Sequence, residues 1–181
     1  MSRERNNNGR YRAIVAYTMD KAYGRDTNVY FALNRALRNR KSDPAQFRVW
    51  RGFLYFLMRA LDQLPAFSGT VFRGGNKGLD QNTVRQLYHP GRTIQWAAFS
   101  STSRSLEAVR PFVKKEEGVI FKIRVTTGRD IGAYSYFPKE SEVLLTPNTR
   151  FTVTSEVYKD EVGFTCVDLA EMAPSGPMLR S

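Results

Sequence analysis

Apolar positions recur at helical spacing along the first third of the chain. Between 28 and 37, Val29, Leu33, Ala36 and Leu37 fall on one stripe with arginines between them. Asp26-Thr27-Asn28 supplies capping residues ahead of it. A longer run over 47–64 is rich in Leu, Phe, Tyr and Met, has Ser42-Asp43 and Pro44 as its start, and ends at Pro65. After Pro65 the period shortens. Strand-like runs fall at 70–73, 94–99, 119–125, 143–145, 151–157 and 162–169. Helical patterns remain at 81–88 and at 106–114, the second with Pro111 inside it. Helices first and strands after predict an α+β domain rather than alternating βαβ units. One domain is expected over 1–181, with a helical lobe at 1–65 packed on a mixed, β-rich core at 66–172. The ends, 1–9 and 173–181, are polar or rich in Pro, Gly and Ser and read as mobile.

Composition narrows the function classes. No stretch approaches the roughly 20 apolar residues of a membrane span. Asn6-Asn7-Asn8 stands where a signal peptide needs its apolar stretch. A soluble protein is therefore expected, and secretion by another route or excision of this domain from a longer protein stays open. The single cysteine, Cys166, excludes an internal disulfide and a multi-cysteine metal cluster, and its apolar surroundings place it in a buried strand. The single histidine, His89, lies in Leu87-Tyr-His-Pro-Gly91, a turn signal rather than the setting of a general base. The net charge of +11 is uneven: residues 1–65 hold 13 Lys/Arg against 5 Asp/Glu, and the remainder 15 against 12. A front half of this kind is either a solvated helical surface or a face for an acidic or nucleic-acid-associated target. Arg38 and Arg40 are its expected contacts, with no part in the chemistry.

Three segments carry chemical potential. In Gly69-Thr-Val-Phe-Arg-Gly-Gly-Asn76 a strand delivers Arg73 at its end and runs into glycines. Arginine offers a planar fork for phosphate oxygens, and Gly74 lets a ligand approach the backbone closely. Trp96-Ala-Ala-Phe-Ser-Ser-Thr-Ser103 places hydroxyls at a strand end, where they either cap the next helix or bind a ligand. Alternation puts Ser101 and Ser103 on one face and Thr102 on the other. In Phe137-Pro-Lys-Glu-Ser-Glu-Val-Leu-Leu145, Glu140 and Glu142 stand two apart before an apolar strand, so that alternation would aim both the same way. Neighbouring carboxylates on one face repel, so the pair either serves acid–base work or the stabilising of a cation, or marks an exposed strand entrance where charges cost little.

In this order the three segments resemble the arginine-specific mono-ADP-ribosyltransferases, whose signature is an Arg, a Ser-Thr-Ser and a Glu-x-Glu on successive strands. Ile14-Val-Ala-Tyr-Thr18, the 28–37 helix and Leu61-Asp-Gln-Leu-Pro65 resemble the family's helical front half, so the likeness covers about residues 12–170. The disulfides of the ecto-enzymes have no counterpart here, which points to an intracellular or delivered, effector-like relative, and a turn histidine does not fit the His-Tyr-Glu branch of the superfamily.

The resemblance implies NAD⁺ as co-substrate, no metal, and a protein arginine as acceptor. By that resemblance Arg73 holds the NAD⁺ phosphates, Gly74 binds the nicotinamide amide through its backbone, Ser101 orients Glu142, and Thr102 and Ser103 shape the pocket. Glu142 stabilises the oxocarbenium-like charge that develops as the nicotinamide–ribose bond breaks. Glu140 aligns the acceptor guanidinium and takes its proton as the new bond forms, because a guanidinium stays charged at any physiological pH and is not deprotonated beforehand. Tyr134, Tyr136 and Phe137 face the target protein. An NAD⁺ glycohydrolase would use the same pocket, and the basic, aromatic-rich front half also fits a nucleic-acid-binding module without catalysis.

Overall fold

Three helices precede the first strand in the computed structural model, which describes residues 2–19, 28–75, 79–135 and 141–173. The first, α1 (Ser2–Met19), takes in the polar segment 2–9 that carries no apolar pattern. Its second half is anchored by Ala13, Ile14 and Tyr17, all buried. Helix α2 (Val29–Arg38) buries Leu33, Ala36 and Leu37 of the expected stripe together with polar Asn34, while Val29, the fourth expected member, is only half-buried. Helix α3 (Pro44–Leu61) begins as its sequence predicts, with Pro44 in the first turn and the Asp43 carboxylate accepting from Gln46 N at 2.9 Å. Leu33, Leu57 and Leu61 lose all contact with water. Each burial of this kind is worth about 1.5–3 kcal/mol.

Eight strands follow: β1 (Ala66–Gly75), β2 (Thr93–Trp96), β3 (Ser100–Ser103), β4 (Val119–Asp130), β5 (Glu142–Leu145), β6 (Thr149–Val153), β7 (Tyr158–Lys159) and β8 (Thr165–Glu171). Hydrogen-bonded neighbours run β1-β3-β5-β4-β8-β6-β2, with β7 on β8 and a further β1–β4 pairing. Only β4 and β8 are parallel, so the sheet is mixed. Strands β1 and β4 pair along nearly their full length, β4 reaches β5 through Arg129 and Asp130, and β1 meets β3 at Phe72↔Ser103. Four strands thereby close on one another. Strand β5 is buried on both sides. Leu144 packs under the helices, whereas Val143 and Leu145 join the core between strands.

The apolar run 94–99 is not one strand. Strand β2, which pairs β6, ends at Trp96; residues 97–99 belong to no strand, and β3, which pairs β5 and β1, begins only at Ser100. The break has a cause in the helical lobe. Asn34, buried on α2, accepts from Phe99 N at 3.0 Å and donates to the Tyr17 hydroxyl at 3.0 Å. Phe99 thus gives its backbone donor to a helix side chain instead of a strand. Burial raises the Tyr17 pKa well above its ordinary value, so the phenol stays neutral.

Smaller departures have local causes. The helical pattern at 106–114 is α5 (Leu106–Val109) followed by a 3₁₀ turn, Arg110–Phe112, because Pro111 has no N–H to continue the ladder. The run 162–169 starts late, since Gly163 sits in a turn at φ +89°. Helix α4 (Gln81–Leu87) lies where expected, capped by Asp80. Cys166 is buried in β8 as expected, and burial lifts its thiol to about 11. His89 is exposed after α4.

Candidate active site

Strand β1 carries Arg73 and Gly74 in register with Phe121 and Ile120 of β4. The guanidinium turns toward β3. Its Nη1 donates to Ser101 O at 2.7 Å, and its carbon lies 5.7 Å from the centre of the Trp96 ring. Gly74 packs so tightly against the segment after α5 that an added Cβ would stand 2.5 Å from Val113 Cγ2. A glycine is required there by sterics alone.

Strand β3 lies antiparallel to β5, with Ser101↔Leu144, Thr102↔Val143 and Ser103↔Glu142. Direct cross-strand pairs share a face. Ser101, Ser103 and Glu142 therefore project to the helix side, as alternation predicts for the two serines. Thr102 turns its hydroxyl to Val143 O. Capping falls to a residue outside the quartet of hydroxyls: Ser105 Oγ accepts from Ala108 N at 3.2 Å, and Ser103 Oγ accepts from Ser105 N at 3.0 Å.

Glu142 opens β5 and is 1% exposed. Two expectations about it change. Its register partner is Ser103, and the expected Ser101–Glu142 hydrogen bond is not made: Ser101 Oγ is buried without a partner. A different hydroxyl, Ser135 Oγ, donates to Glu142 Oε2 at 3.4 Å. The alternation argument for a Glu140/Glu142 pair also lacks its basis, because Ser141 takes φ +47° and β5 starts only at Glu142. A non-glycine residue in the left-handed region beside a buried carboxylate is the kind of local strain found at functional sites. Glu140, Tyr136 and Phe137 lie outside the described residues. Tyr134 is described, and one face of its ring stacks on Tyr11 of α1 at 4.2 Å and 4°.

These residues meet in one place. Arg73, Gly74, Ser101, Thr102, Ser103 and Glu142 all line a cavity of about 440 Å³, within the usual size of ligand pockets. Tyr30 and Phe31 of α2, Phe72 of β1 and Phe112 complete it. Sequence reasoning missed these four. Tyr30 and Phe31 fall beside the apolar stripe of α2, and large aromatics off a core stripe were the available signal. A second recess of about 400 Å³ shares Arg73 and Gly74 and adds Tyr88, Trp96 and Phe121. Arg38, exposed at the end of α2, lines it too. Arg40 is tied down as well, donating to Leu37 O and Asn148 Oδ1.

The sequence matches the NAD:arginine ADP-ribosyltransferase family over residues 4–174. This chain belongs to that family. It is 32% identical over 142 residues to the NAD(+)–protein-arginine ADP-ribosyltransferase Tre1 of Serratia proteamaculans, covering 76% of this chain and 28% of that protein. With the T-cell ecto-ADP-ribosyltransferase 1 of Rattus norvegicus the identity is 31%, covering 74% of this chain and 43% of the relative. The chain thus spans less than half the length of these curated relatives. Its fold is that of the Vis toxin of Vibrio splendidus, with a TM-score of 0.70 at 22% identity over 93% of this chain and 75% of that one. The predicted α+β transferase fold is therefore the observed one. Among the described residues no cluster of His, Cys, Asp and Glu could hold a metal ion, and no helix is long and apolar enough to cross a membrane.

Proposed function

We propose that this chain is a catalytic domain that cleaves NAD⁺ at the nicotinamide–ribose bond and transfers ADP-ribose to a protein arginine. The observation that carries the reading is the convergence of Arg73, Gly74, Ser101, Thr102, Ser103 and Glu142 on one cavity. NAD⁺ has two rings joined by a pyrophosphate, and two recesses meet at Arg73 and Gly74. The pyrophosphate lies at Arg73, which has one protein hydrogen-bond acceptor among the described residues, with Arg38 as a second cation for it. The nicotinamide riboside occupies the cavity that contains Glu142. The adenosine takes the aromatic recess of Tyr88, Trp96 and Phe121. Ser101 Oγ, buried and unpartnered, supplies a hydrogen bond to a ribose hydroxyl.

Glu142 acts on charge that exists only in the transition state, and near-complete burial strengthens that interaction. Ser135 and the positive-φ turn at Ser141 hold it. Glu140 receives the acceptor's proton, and Tyr134, Tyr136 and Phe137 meet the target. Arginine as acceptor rests on the family and on Glu140; the structure of Vis with agmatine, a guanidino compound, concerns a relative of the same fold. The basic front half favours an acidic acceptor protein, and the toxin relatives favour delivery into another cell.

Incubation with labelled NAD⁺, with and without agmatine, tests the reading. Label on agmatine is the expected result. Release of free ADP-ribose at the same rate whether or not agmatine is present would make the chain a glycohydrolase. No NAD⁺ turnover under any condition would refute both.

A further inference from the structure

One wall of the Glu142 cavity is built from a short segment with little regular structure. Ala108, Val109 and Phe112 line it, on the single-turn helix α5 and the 3₁₀ turn after it. Phe112 is 70% exposed, so its own burial does little to fix it. The neighbouring Val109 and Val113 are buried in a small cluster with Ile120 and Cys166, and Val113 closes on Gly74. Something further must hold this wall.

The turn between β7 and β8 does so, and no residue of that turn lines the cavity. Arg110 Nη2 meets Asp160 Oδ2 at 3.0 Å, with the two side chains 23% and 14% exposed. The guanidinium carbon also lies 5.9 Å from the centre of the Phe164 ring. Asp160 is itself held: its Oδ1 accepts from Val162 N at 3.1 Å and from Phe164 N at 2.8 Å, and its backbone pairs with Phe164 and Gly163. Burial opposes ionisation of this carboxyl, but hydrogen bonds from Phe164 N and Arg110 outweigh it and keep its pKa below the ordinary carboxylate value. A second tie lies beside the first, since Lys115 Nζ stands 5.9 Å from the Phe164 ring and its Cε packs against Gly163.

We propose that the Arg110–Asp160 ion pair is a positioning device that fixes the Ala108–Phe112 wall for NAD⁺, so that a turn outside the cavity sets the affinity for the co-substrate. The argument is energetic. A largely buried ion pair gains little stability over apolar residues of similar volume, because both charges lose water. Arg110 Nε is moreover buried without a partner, which adds to that loss. What such a pair does provide is one fixed geometry. The wall needs one, since a wall ordered beforehand spares the ligand the cost of ordering it, and that cost otherwise falls on affinity. Neither Arg110 nor Asp160 lines the cavity, so both residues act through the wall. This inference rests on the reading of the cavity as the NAD⁺ site.

Asp160→Asn is the test, because the amide keeps an oxygen for Val162 N and Phe164 N and replaces the charged Oδ2 acceptor facing Arg110 with an uncharged N–H₂. NAD⁺ affinity is measured by calorimetry, with melting temperature as the control for folding. The dissociation constant for NAD⁺ is expected to rise about ten-fold, with kcat for hydrolysis changed far less. Amide exchange over 106–113 is expected to accelerate, and Asp160→Glu to restore part of the affinity. Glu107→Gln breaks only the exposed Arg110–Glu107 pair and should leave binding unchanged. Arg110→Lys, a milder change, serves if Asp160→Asn does not fold, with the same direction expected. Folded variants that bind NAD⁺ within two-fold of the wild type overturn the inference alone. A wild-type protein that binds no NAD⁺ overturns the reading of the cavity on which it rests.

Discussion

The Glu142 cavity, about 440 Å³, and a second recess of about 410 Å³ that shares no residue with it are nearly equal in size, and of this pair only the first has the chemistry of a site. The second is lined by Asp62, Arg129, Asn148, Arg150 and Glu171 among others. Its charges serve the fold. Arg129 donates to Leu64 O at 2.9 Å and lies 3.8 Å from Asp62, and the Glu171 carboxylate accepts from the backbone of Thr126 and Thr127 and from both hydroxyls. That recess is a joint between helix and sheet, bonded to itself apart from Arg129 Nε. In the first, Arg73 has one protein acceptor among the described residues and Ser101 Oγ has none. Volume does not separate the two. What separates them is whether the polar groups have already been answered by the protein.

The largest effect is expected at Glu140, which belongs to the first site by sequence alone. Glu140→Gln should lower transfer to agmatine by roughly 10²–10⁴-fold, as for a lost general base, while hydrolysis of NAD⁺ continues. Both rates come from one preparation, so partial misfolding does not imitate a changed ratio. Parallel loss of the two would assign Glu140 to NAD⁺ cleavage.

A smaller effect is expected at the two arginines. Arg73→Ala should weaken NAD⁺ binding by about 10–100-fold, the cost of a lost charge-assisted fork at a phosphate. Arg73→Lys should recover only part of it. Arg38→Ala should weaken binding by a few-fold to about ten-fold, whereas a remote surface role predicts no change. Calorimetric titration with NAD⁺ decides both.

The smallest effect on turnover belongs to the second recess. Glu171→Gln should leave NAD⁺ hydrolysis unchanged and destabilise the fold by about 1–2 kcal/mol, through lost hydrogen bonds to a charged acceptor. Denaturant titration beside the hydrolysis assay checks this. A fall in turnover without loss of stability would erase the distinction between the recesses.

Much of this was legible before the structure. The α2 stripe, the Asp43-Pro44 start of α3 and the β-rich second half follow from period and capping. The site residues on β1, β3 and β5 follow from a motif order that resembles one family. What escaped depends on contacts between distant segments. The end of β2 at Trp96, short of the apolar run's end at Phe99, goes with Asn34, some 65 residues away in the chain, which takes the Phe99 donor. The hydroxyl at Glu142 is Ser135 rather than Ser101, because β3 and β5 pair in a register that no local pattern encodes. Ser141 breaks the alternation that a Glu-x-Glu reading assumes, and nothing in the sequence of a serine announces φ +47°. Arg38 looked like one surface charge among many until the fold set it in the same recess as Arg73.

Glu142→Gln tests the central claim most directly. The side chain keeps its size and stays nearly isosteric in a site only 1% exposed, so the fold and NAD⁺ binding should persist. The negative charge beside the breaking nicotinamide–ribose bond is lost. Nicotinamide release, followed with and without agmatine, should fall by at least roughly a hundred- to thousand-fold in both cases. A folded variant that binds NAD⁺ and still releases nicotinamide at a near-wild-type rate would contradict the account.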